Sequence, residues 1–282
     1  VETEARLRDF REYLERSELE RIGSPEEIRV RDTLQSLSMK DVLSVVSYTL
    51  YDLKGNALIS STDQANRIQA QEEYFQQAVN GGTAVSNMMW EGNTPVIHFV
   101  TPVRSNELIT LGVLRLTYHA QILQEIVTNN NNQAGLGSYA ILLDENHFRL
   151  GDGHSTESLY KFVVPQSSNR LTDLKAQFRL PEVSDDQFAI NLPAMEKYLQ
   201  GIAIRPFGLL ELEDPQKTNP SLELVAAKMM SLRPWVVLFA QNEVNILTPL
   251  KNQKLAVGWL LLGIGLLTGA ASFGGFFFSV IF

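Results

Sequence analysis

The sequence predicts an α+β chain with an N-terminal helical stalk, two tandem units that each contain an antiparallel sheet, and a C-terminal transmembrane helix. Three observations support this fold class. The first residues are densely charged and carry a narrow helical stripe of apolar side chains. Two later regions repeat one order of hairpin, helix and strands, and the chain ends in a long segment without a charged residue.

The predicted stalk covers residues 1–41. Its first helix presents one narrow apolar stripe, formed by Leu7, Phe10, Leu14, Leu19 and Ile22. A second helix is expected to begin after Ser24, an N-cap residue followed by Pro25, and to end near Ser38. A narrow apolar stripe on a charged helix is typical of a weak seam between helices. We therefore expect the stalk to lie near the two-fold axis of a homodimer.

The first unit is predicted at residues 42–126. Residues 42–51 are rich in β-branched and aromatic types, and the turn Asp52–Asn56 joins them to a second strand. A helix is expected around Gln69–Asn80, where Gly81 and Gly82 end it. Three more strands are expected at Ala84–Trp90, Pro95–Val103 and Ile109–Tyr118.

The second unit is predicted at residues 138–241. It follows residues 127–137, a polar stretch of low complexity that we interpret as a linker. The unit repeats the order of the first with longer insertions. Residues 242–254 are then expected to form a juxtamembrane helix.

The segment Leu255–Phe282 contains no charged residue and is longer than the about 20 residues that a helix needs to cross a bilayer. It is therefore predicted to span the membrane once. The chain begins at Val1 without a methionine and stops directly after this segment. We expect a first transmembrane helix before Val1 and a cytoplasmic part after Phe282.

The composition argues against several classes of function. The formal net charge is −8, with 32 acidic and 24 basic residues, which disfavours nucleic acid as a partner because phosphates require basic patches. The chain has no cysteine, which excludes disulfides, thiolate metal sites and a cysteine nucleophile. Neither a Gly-x-Ser-x-Gly elbow nor a Gly-x-x-x-x-Gly-Lys loop occurs. We therefore expect no enzyme chemistry and no cofactor in this chain.

One cluster of possible metal ligands occurs in the second unit, at Asp144, Glu145, His147, Asp152 and His154. Carboxylates and imidazoles at this density are compatible with a metal site. Asp, Asn and Gly are also the residues that a hairpin turn requires. The turn is the favoured interpretation, and a metal site is the alternative.

Short motifs in both units resemble the double Cache domain, a tandem of PAS-like modules in bacterial transmembrane receptors. In the first unit they are Tyr51–Gly55, Glu73–Ala78, Thr101–Val103 and Leu111–Leu114, and in the second Ala140–Asp144 and the closing strand around Trp235. The resemblance implies an extracytoplasmic sensor in the cell membrane, with a small-molecule pocket in the membrane-distal unit, residues 42–126. The output module, a histidine kinase, a chemotaxis tail or a nucleotide cyclase, is expected outside this chain.

The resemblance also suggests the residues of the pocket. Family members that sense amino acids carry an arginine before an aromatic pair and an aspartate on the last strand, and Glu72 and Thr117 stand at the corresponding positions here, which disfavours an amino-acid ligand. The residues expected near the ligand are Glu72, Tyr74, Met89, Trp90, His98 and Thr117. For the rings and His98, a place in the core is the alternative. A carboxylate among aromatic rings can hold a cation, so we expect a small neutral or cationic ligand.

Two hypotheses of function result. The first is an extracytoplasmic small-molecule sensing module of a signal-transduction receptor. The second is a structural or partner-binding ectodomain without a small-molecule ligand. A distal unit completely filled by its own side chains would favour the second hypothesis.

Overall fold

The computed structural model of the chain describes residues 8–62, 72–212, 221–231 and 233–245. Within these ranges the chain has an α+β fold with two antiparallel sheets, one of six strands and one of five. Three short 3-10 turns connect the larger elements, at Met39–Asp41, Thr156–Ser158 and Asp185–Phe188.

The first sheet is built from six strands of the first unit: β1 (Val45–Tyr51), β2 (Ala57–Ser60), β3 (Ala84–Val85), β4 (Met89–Glu91), β5 (Thr94–Arg104) and β6 (Thr110–His119). The strand order is β2-β1-β6-β5-β3, and β4 pairs with β5 beside this path. The long strands β5 and β6 therefore form the centre of the sheet together with β1. The helix α4 (Glu73–Val79) covers one of its faces.

The opposite face is covered by the N-terminal helices α1 (Arg8–Glu15) and α3 (Pro25–Ser38), with the single turn α2 (Glu18–Arg21) between them. As predicted, Ser24 caps α3, since its hydroxyl accepts a hydrogen bond from the backbone N–H of Glu27 at 3.1 Å. This cap satisfies one of the free N–H groups at the helix start and fixes where α3 begins.

The apolar stripe of α1 packs inside its own chain, so the predicted stalk seam is wrong. Phe10 and Leu14 are buried in one cluster with side chains of α3 and of the first sheet. A buried side chain is not available to a second copy. Leu19 and Ile22 are exposed, and Leu7 lies outside the described residues. The homodimer itself stays a prediction.

Gly112 of β6 lies where α1 packs closely on the sheet. A Cβ atom there would lie 2.6 Å from the carbonyl oxygen of Tyr51 and 2.9 Å from Leu14 Cδ1. We expect Gly112→Ala to lower the free energy of unfolding in urea by about 1–3 kcal/mol, because the backbone oxygen cannot move aside. Gly201→Ala is the control, since its nearest neighbour would be at 3.5 Å. Equal stability of the two variants would contradict this packing.

The second sheet follows α5 (Gln121–Asn129) and consists of β7 (Ser138–Leu143), β8 (Arg149–Asp152), β9 (Phe207–Leu212), β10 (Ser221–Met229) and β11 (Val236–Asn242). Its strand order is β8-β7-β11-β10-β9. The helix α7 (Pro193–Gln200) packs Met195 and Leu199 against one face, and α6 (Ser168–Ala176) belongs to a cluster on the other. That second cluster also contains Met88 and Ile97 of the first unit. The two units therefore share an apolar core, and their predicted boundaries stay a prediction.

The predicted fold class needs a correction at its membrane-spanning element. None of the helices in the described ranges is long and apolar enough to cross a membrane. The longest of them, α3, has 14 residues, which corresponds to about 21 Å against a hydrocarbon core of about 30 Å. The segment Leu255–Phe282, on which the prediction rested, lies outside the described residues.

Candidate functional site

The candidate site lies on the face of the first sheet that α4 covers. Side chains alternate between the two faces of a strand. On β6, Leu114 and Leu116 therefore face the N-terminal helices, whereas Val113, Arg115 and Thr117 face α4. Their partners on the neighbouring strands continue this second face, so that polar residues of four strands, β1, β2, β5 and β6, meet there.

Six buried polar side chains on this face form what we call the polar patch: Ser47, Thr49, Ser60, His98, Arg115 and Thr117. Tyr51 of β1 and Tyr74 of α4 are buried beside it. Polar side chains are uncommon in a core because burial removes their hydrogen bonds to water. A concentrated group of them on one sheet face is therefore typical of a binding site and atypical of a core that serves only to stabilise the fold.

Arg115 is the most unusual member of the polar patch. Its side chain is only 5% exposed, and its guanidinium lies over the ring of Tyr51 at 5.0 Å from the ring centre. Within the described part of the chain, no carboxylate lies within ion-pair distance of it, and its Nε atom has no hydrogen-bond partner. The hydroxyl of Tyr74 is a hydrogen-bonding partner of the guanidinium, but a neutral hydroxyl does not balance its charge. A buried charge without an ion-pair partner costs free energy, which is typical of a residue kept for binding.

His98 lies at the centre of the polar patch. Its Nδ1 atom is 3.1 Å from the hydroxyl of Thr117, and its Nε2 atom is 3.8 Å from a carboxylate oxygen of Glu91. The ring stacks on Tyr74, with 5.9 Å between the ring centres. Burial, and then the positive charge of Arg115, lowers the pKa of His98 well below its ordinary value, so the imidazole is neutral in the folded chain.

This neutral imidazole predicts a specific pH dependence of stability. Below about pH 6.5 the unfolded chain binds a proton at His98 and the folded chain does not, so the free energy of unfolding falls as the pH decreases. Above about pH 6.5 the stability that the neutral His98 contributes is fully present. As the pH falls below this value, the free energy of unfolding of the wild type, measured in urea, should decrease by up to about 1.4 kcal/mol per pH unit relative to that of His98→Gln. Parallel curves for the two proteins would contradict a depressed pKa.

The two tyrosines complete the environment of the site. Burial raises the pKa of the Tyr74 hydroxyl to about 12, an effect that the nearby Arg115 opposes. Burial raises the pKa of Tyr51 as well, again against the effect of Arg115. Both hydroxyls are therefore neutral hydrogen-bonding groups beside the guanidinium.

The structure brings together most of the residues predicted from the sequence. Tyr74, His98 and Thr117 are in one cluster, and Met89 packs against the side chains around Tyr51. Glu72 stands at the start of α4 and is partly buried, which raises the pKa of its carboxyl. Trp90 is the exception, because it belongs to the apolar cluster on the opposite face of the sheet.

Six residues of the site were missed in the sequence: Ser47, Thr49, Tyr51, Ser60, Glu91 and Arg115. For Arg115 a signal existed, because it stands two residues before Thr117 on the same predicted strand and must share its face. No local pattern could indicate Glu91, whose position depends on how β4 pairs with β5.

The corresponding face of the second sheet has a different character. Tyr139, Ile141 and Leu143 of β7 lie there with apolar side chains of β10 and β11, and α7 closes over them. The centre of this face is an apolar core, but the face also carries the buried ion pair of Arg149 with Asp152 on β8 and the buried Glu223 on β10. The group of six buried polar side chains belongs to the first sheet.

The possible metal ligands of the second unit have other partners. Asp144 accepts hydrogen bonds from backbone N–H groups of its turn, and His147 Nδ1 lies 2.8 Å from a Glu196 oxygen. Asp152 forms an ion pair with Arg149 and accepts the backbone N–H of His154. In the described part of the chain, no group of three such residues could hold a metal ion. The geometry is that of a hairpin turn.

Comparison with known proteins shows a similarity in fold and no match in sequence. No protein-family model and no curated protein sequence matches the chain. Among solved structures, the sensor domain of the V. cholerae histidine kinase DctB is similar with a TM-score of 0.56 and 14% identity, over 85% of this chain and 86% of that one.

Two further structures are similar. A domain of a sensory box/GGDEF family protein from Vibrio parahaemolyticus has a TM-score of 0.54 and 13% identity, over 86% of this chain and 87% of that one. The ligand-binding domain of the Pseudomonas fluorescens chemoreceptor CtaA, in complex with L-leucine, has a TM-score of 0.51 and 12% identity, over 86% and 84%. The chain thus shares the fold of bacterial sensor domains, as the resemblance to Cache domains implied.

Proposed function

We propose that this chain is the small-molecule sensing module of a membrane signal-transduction receptor and that it lies outside the cytoplasm. The shared fold with sensor domains of kinases and chemoreceptors supports this role. The observation that carries it is the buried guanidinium of Arg115 in the polar patch, which has no carboxylate within ion-pair distance among the described residues. A ligand anion would supply the missing partner. We propose no catalytic role.

We propose that the ligand contacts Tyr74, His98, Thr117, Met89 and Glu72 of the residues predicted from the sequence. Tyr51, Glu91 and Arg115 complete the site. A bound molecule would form hydrogen bonds with these buried polar side chains. Its apolar part would pack against the tyrosine rings.

The charge distribution favours a ligand that is neutral as a whole and carries both signs. A carboxylate would bind Arg115 in a charge-assisted pair, and an ammonium or another donor would face Glu91 and Glu72. This agrees with the predicted neutral ligand and revises the argument against amino acids, which considered Glu72 and Thr117 without Arg115. The L-leucine bound in CtaA is a molecule of this type.

A thermal-shift screen of matched compounds tests this function. The informative set is L-leucine, L-leucinamide and 4-methylpentanoate, with succinate and choline as an anion and a cation of other shapes. A ligand at about a hundred times its dissociation constant should stabilise the chain by about 2.7 kcal/mol. We expect the largest stabilisation by L-leucine, which carries both charges, a smaller one by 4-methylpentanoate and none by L-leucinamide. No stabilisation by any class of compound would contradict the sensor, and equal effects of acid and amide would contradict only the ligand class.

A partner-binding role is the second candidate, because the second unit exposes apolar side chains on one sheet face. Phe207 of β9 is 74% exposed, and Leu209 and Leu224 beside it are half exposed. Exposed apolar patches are common at protein interfaces. Analytical ultracentrifugation of the chain used in the screen distinguishes the two roles. A concentration-dependent dimer together with a screen without binders would favour the second candidate and the predicted homodimer.

A further inference from the structure

The strand β4 connects the candidate site with the second unit. Met89 and Glu91 are two residues apart and lie on the face of the polar patch, where Glu91 approaches His98 to 3.8 Å. Trp90 stands between them and faces the opposite way, into the core that the two units share. One short strand therefore carries site residues on one face and an anchor to the second unit on the other.

Trp90 makes two specific contacts with the second unit. Its backbone N–H donates a hydrogen bond to the carbonyl oxygen of Phe178 at 2.6 Å, and its ring meets the ring of Tyr160 edge to face, with 5.5 Å between the centres. Within the described sheet, β4 has three residues and pairs with β5 alone. Its position depends on these contacts because its strand pairing is short.

Both partners of Trp90 have an unusual backbone conformation. Phe178 has a φ of 56° and Tyr160 a φ of 59°, in the left-handed region that bulky side chains rarely adopt. Such residues cost free energy and persist only where surrounding contacts hold them. Two of them at one contact indicate that the position of Trp90 against the second unit is specified and is not a by-product of general packing.

We infer that Trp90 is a positioning residue, which anchors β4 to the second unit and thereby couples the contact between the units to the geometry of the site. This inference rests on the proposed function, for which it names a route of regulation. Coupling between two sites is reciprocal. A ligand that pulls Glu91 and Met89 inward would change the Trp90 contact, and a change at that contact would alter the affinity for the ligand, provided that the ligand binds the two arrangements unequally.

The test uses the imidazole NMR signal of His98 in the complete ligand-free chain, because Glu91 is its neighbour. We expect Trp90→Ala and Tyr160→Leu to shift this signal and its titration midpoint, although Tyr160 belongs to the second unit. Trp90→Phe keeps a ring and should shift the signal less. Trp235→Phe is the matched control, since Trp235 is a buried tryptophan of the same apolar cluster. It should leave the His98 signal in place even if it lowers stability.

The readout separates positioning from mere stabilisation. Folded Trp90→Ala and Tyr160→Leu proteins with a His98 signal that superimposes on that of the wild type would overturn the inference. An equal shift in Trp235→Phe would also overturn it, because the effect would then follow from any loss in the core. Since no ligand is needed, a screen without binders would count against the proposed function and leave this result unaffected.

Discussion

Replacing Arg115 with Met is expected to stabilise the ligand-free chain. Within the described residues the guanidinium is buried without a carboxylate partner, so the substitution removes an uncompensated charge and keeps an apolar side chain of similar length. Replacing whole buried ion pairs by apolar side chains is neutral or gains about 1–4 kcal/mol, and we expect a gain within this range here, because the lost contacts with Tyr74 and Tyr51 offset part of the effect. With a gain of about 2 kcal/mol, Tm should rise by roughly 4–8 °C for a chain of this size. Calorimetry measures the change directly.

The same substitution is expected to abolish recognition of a carboxylate. Removing one partner of a buried charged pair costs about 2–5 kcal/mol in binding, which corresponds to a loss of roughly 30-fold or more. Isothermal titration with the strongest carboxylate of the screen measures this loss. A gain in stability that accompanies a loss of binding is typical of a functional residue and would not occur at a structural one.

Arg149→Met provides the control. Arg149 is also buried, but it forms an ion pair with the buried Asp152. Its removal leaves a carboxylate without a counter-charge and should destabilise the chain by about 3–5 kcal/mol. Opposite signs for the two arginines are the predicted result. Destabilisation by Arg115→Met with unchanged binding would show that Arg115 serves the fold.

Replacing Arg179 with Leu is expected to cost about 3–5 kcal/mol of stability. Arg179 donates to an oxygen of Asp144 and to an oxygen of Glu145, each at 2.6 Å, and thereby ties the β7–β8 turn to the segment after α6. Burial raises the pKa of the Asp144 carboxyl, Glu145 adds to the rise, and Arg179 opposes it. Without Arg179, this carboxylate would remain buried and repelled by its neighbour.

A double-mutant cycle separates the ion pair from the packing of Arg179. In a background of Asp144→Asn the charge is absent, so Arg179→Leu should cost markedly less in urea unfolding. The turn is retained in that background, because the amide oxygen of Asn can still accept the backbone N–H groups that Asp144 binds. Equal costs in both backgrounds would show that the pair contributes nothing.

Local patterns in the sequence predicted the helices and strands of the fold more successfully than they predicted which of these elements pack against each other. The first hairpin, the helix before Gly81 and the central strands are present because β-branched runs, turns and caps act locally. One predicted strand at Ala84–Trp90 is divided into β3 and β4. The stripe on α1 was correctly recognised as apolar. A stripe does not indicate whether it packs on a second copy or on its own sheet, which is where Phe10 and Leu14 lie.

The candidate site was predicted only in part, because local patterns do not reveal which residues of distant strands come together. Tyr74, His98 and Thr117 were selected through the resemblance, and the structure brings them together, while their contact with a ligand stays a prediction. Arg115 followed from strand alternation but was not considered, and its charge changes the expected ligand. The role of Trp90 depends on contacts with Tyr160 and Phe178, which are distant in the sequence. Such long-range pairing leaves no local pattern.

Hydrogen–deuterium exchange of the complete chain, with and without the compound that gives the largest thermal shift, tests the location of the site most directly. We predict slower exchange in α4, around His98 on β5 and around Arg115 on β6, because a ligand on the polar patch would hold these elements together. The apolar face under α7 should show a smaller change. Protection confined to the second unit, or equal protection in the Arg115→Met protein, would contradict a binding site on the polar patch.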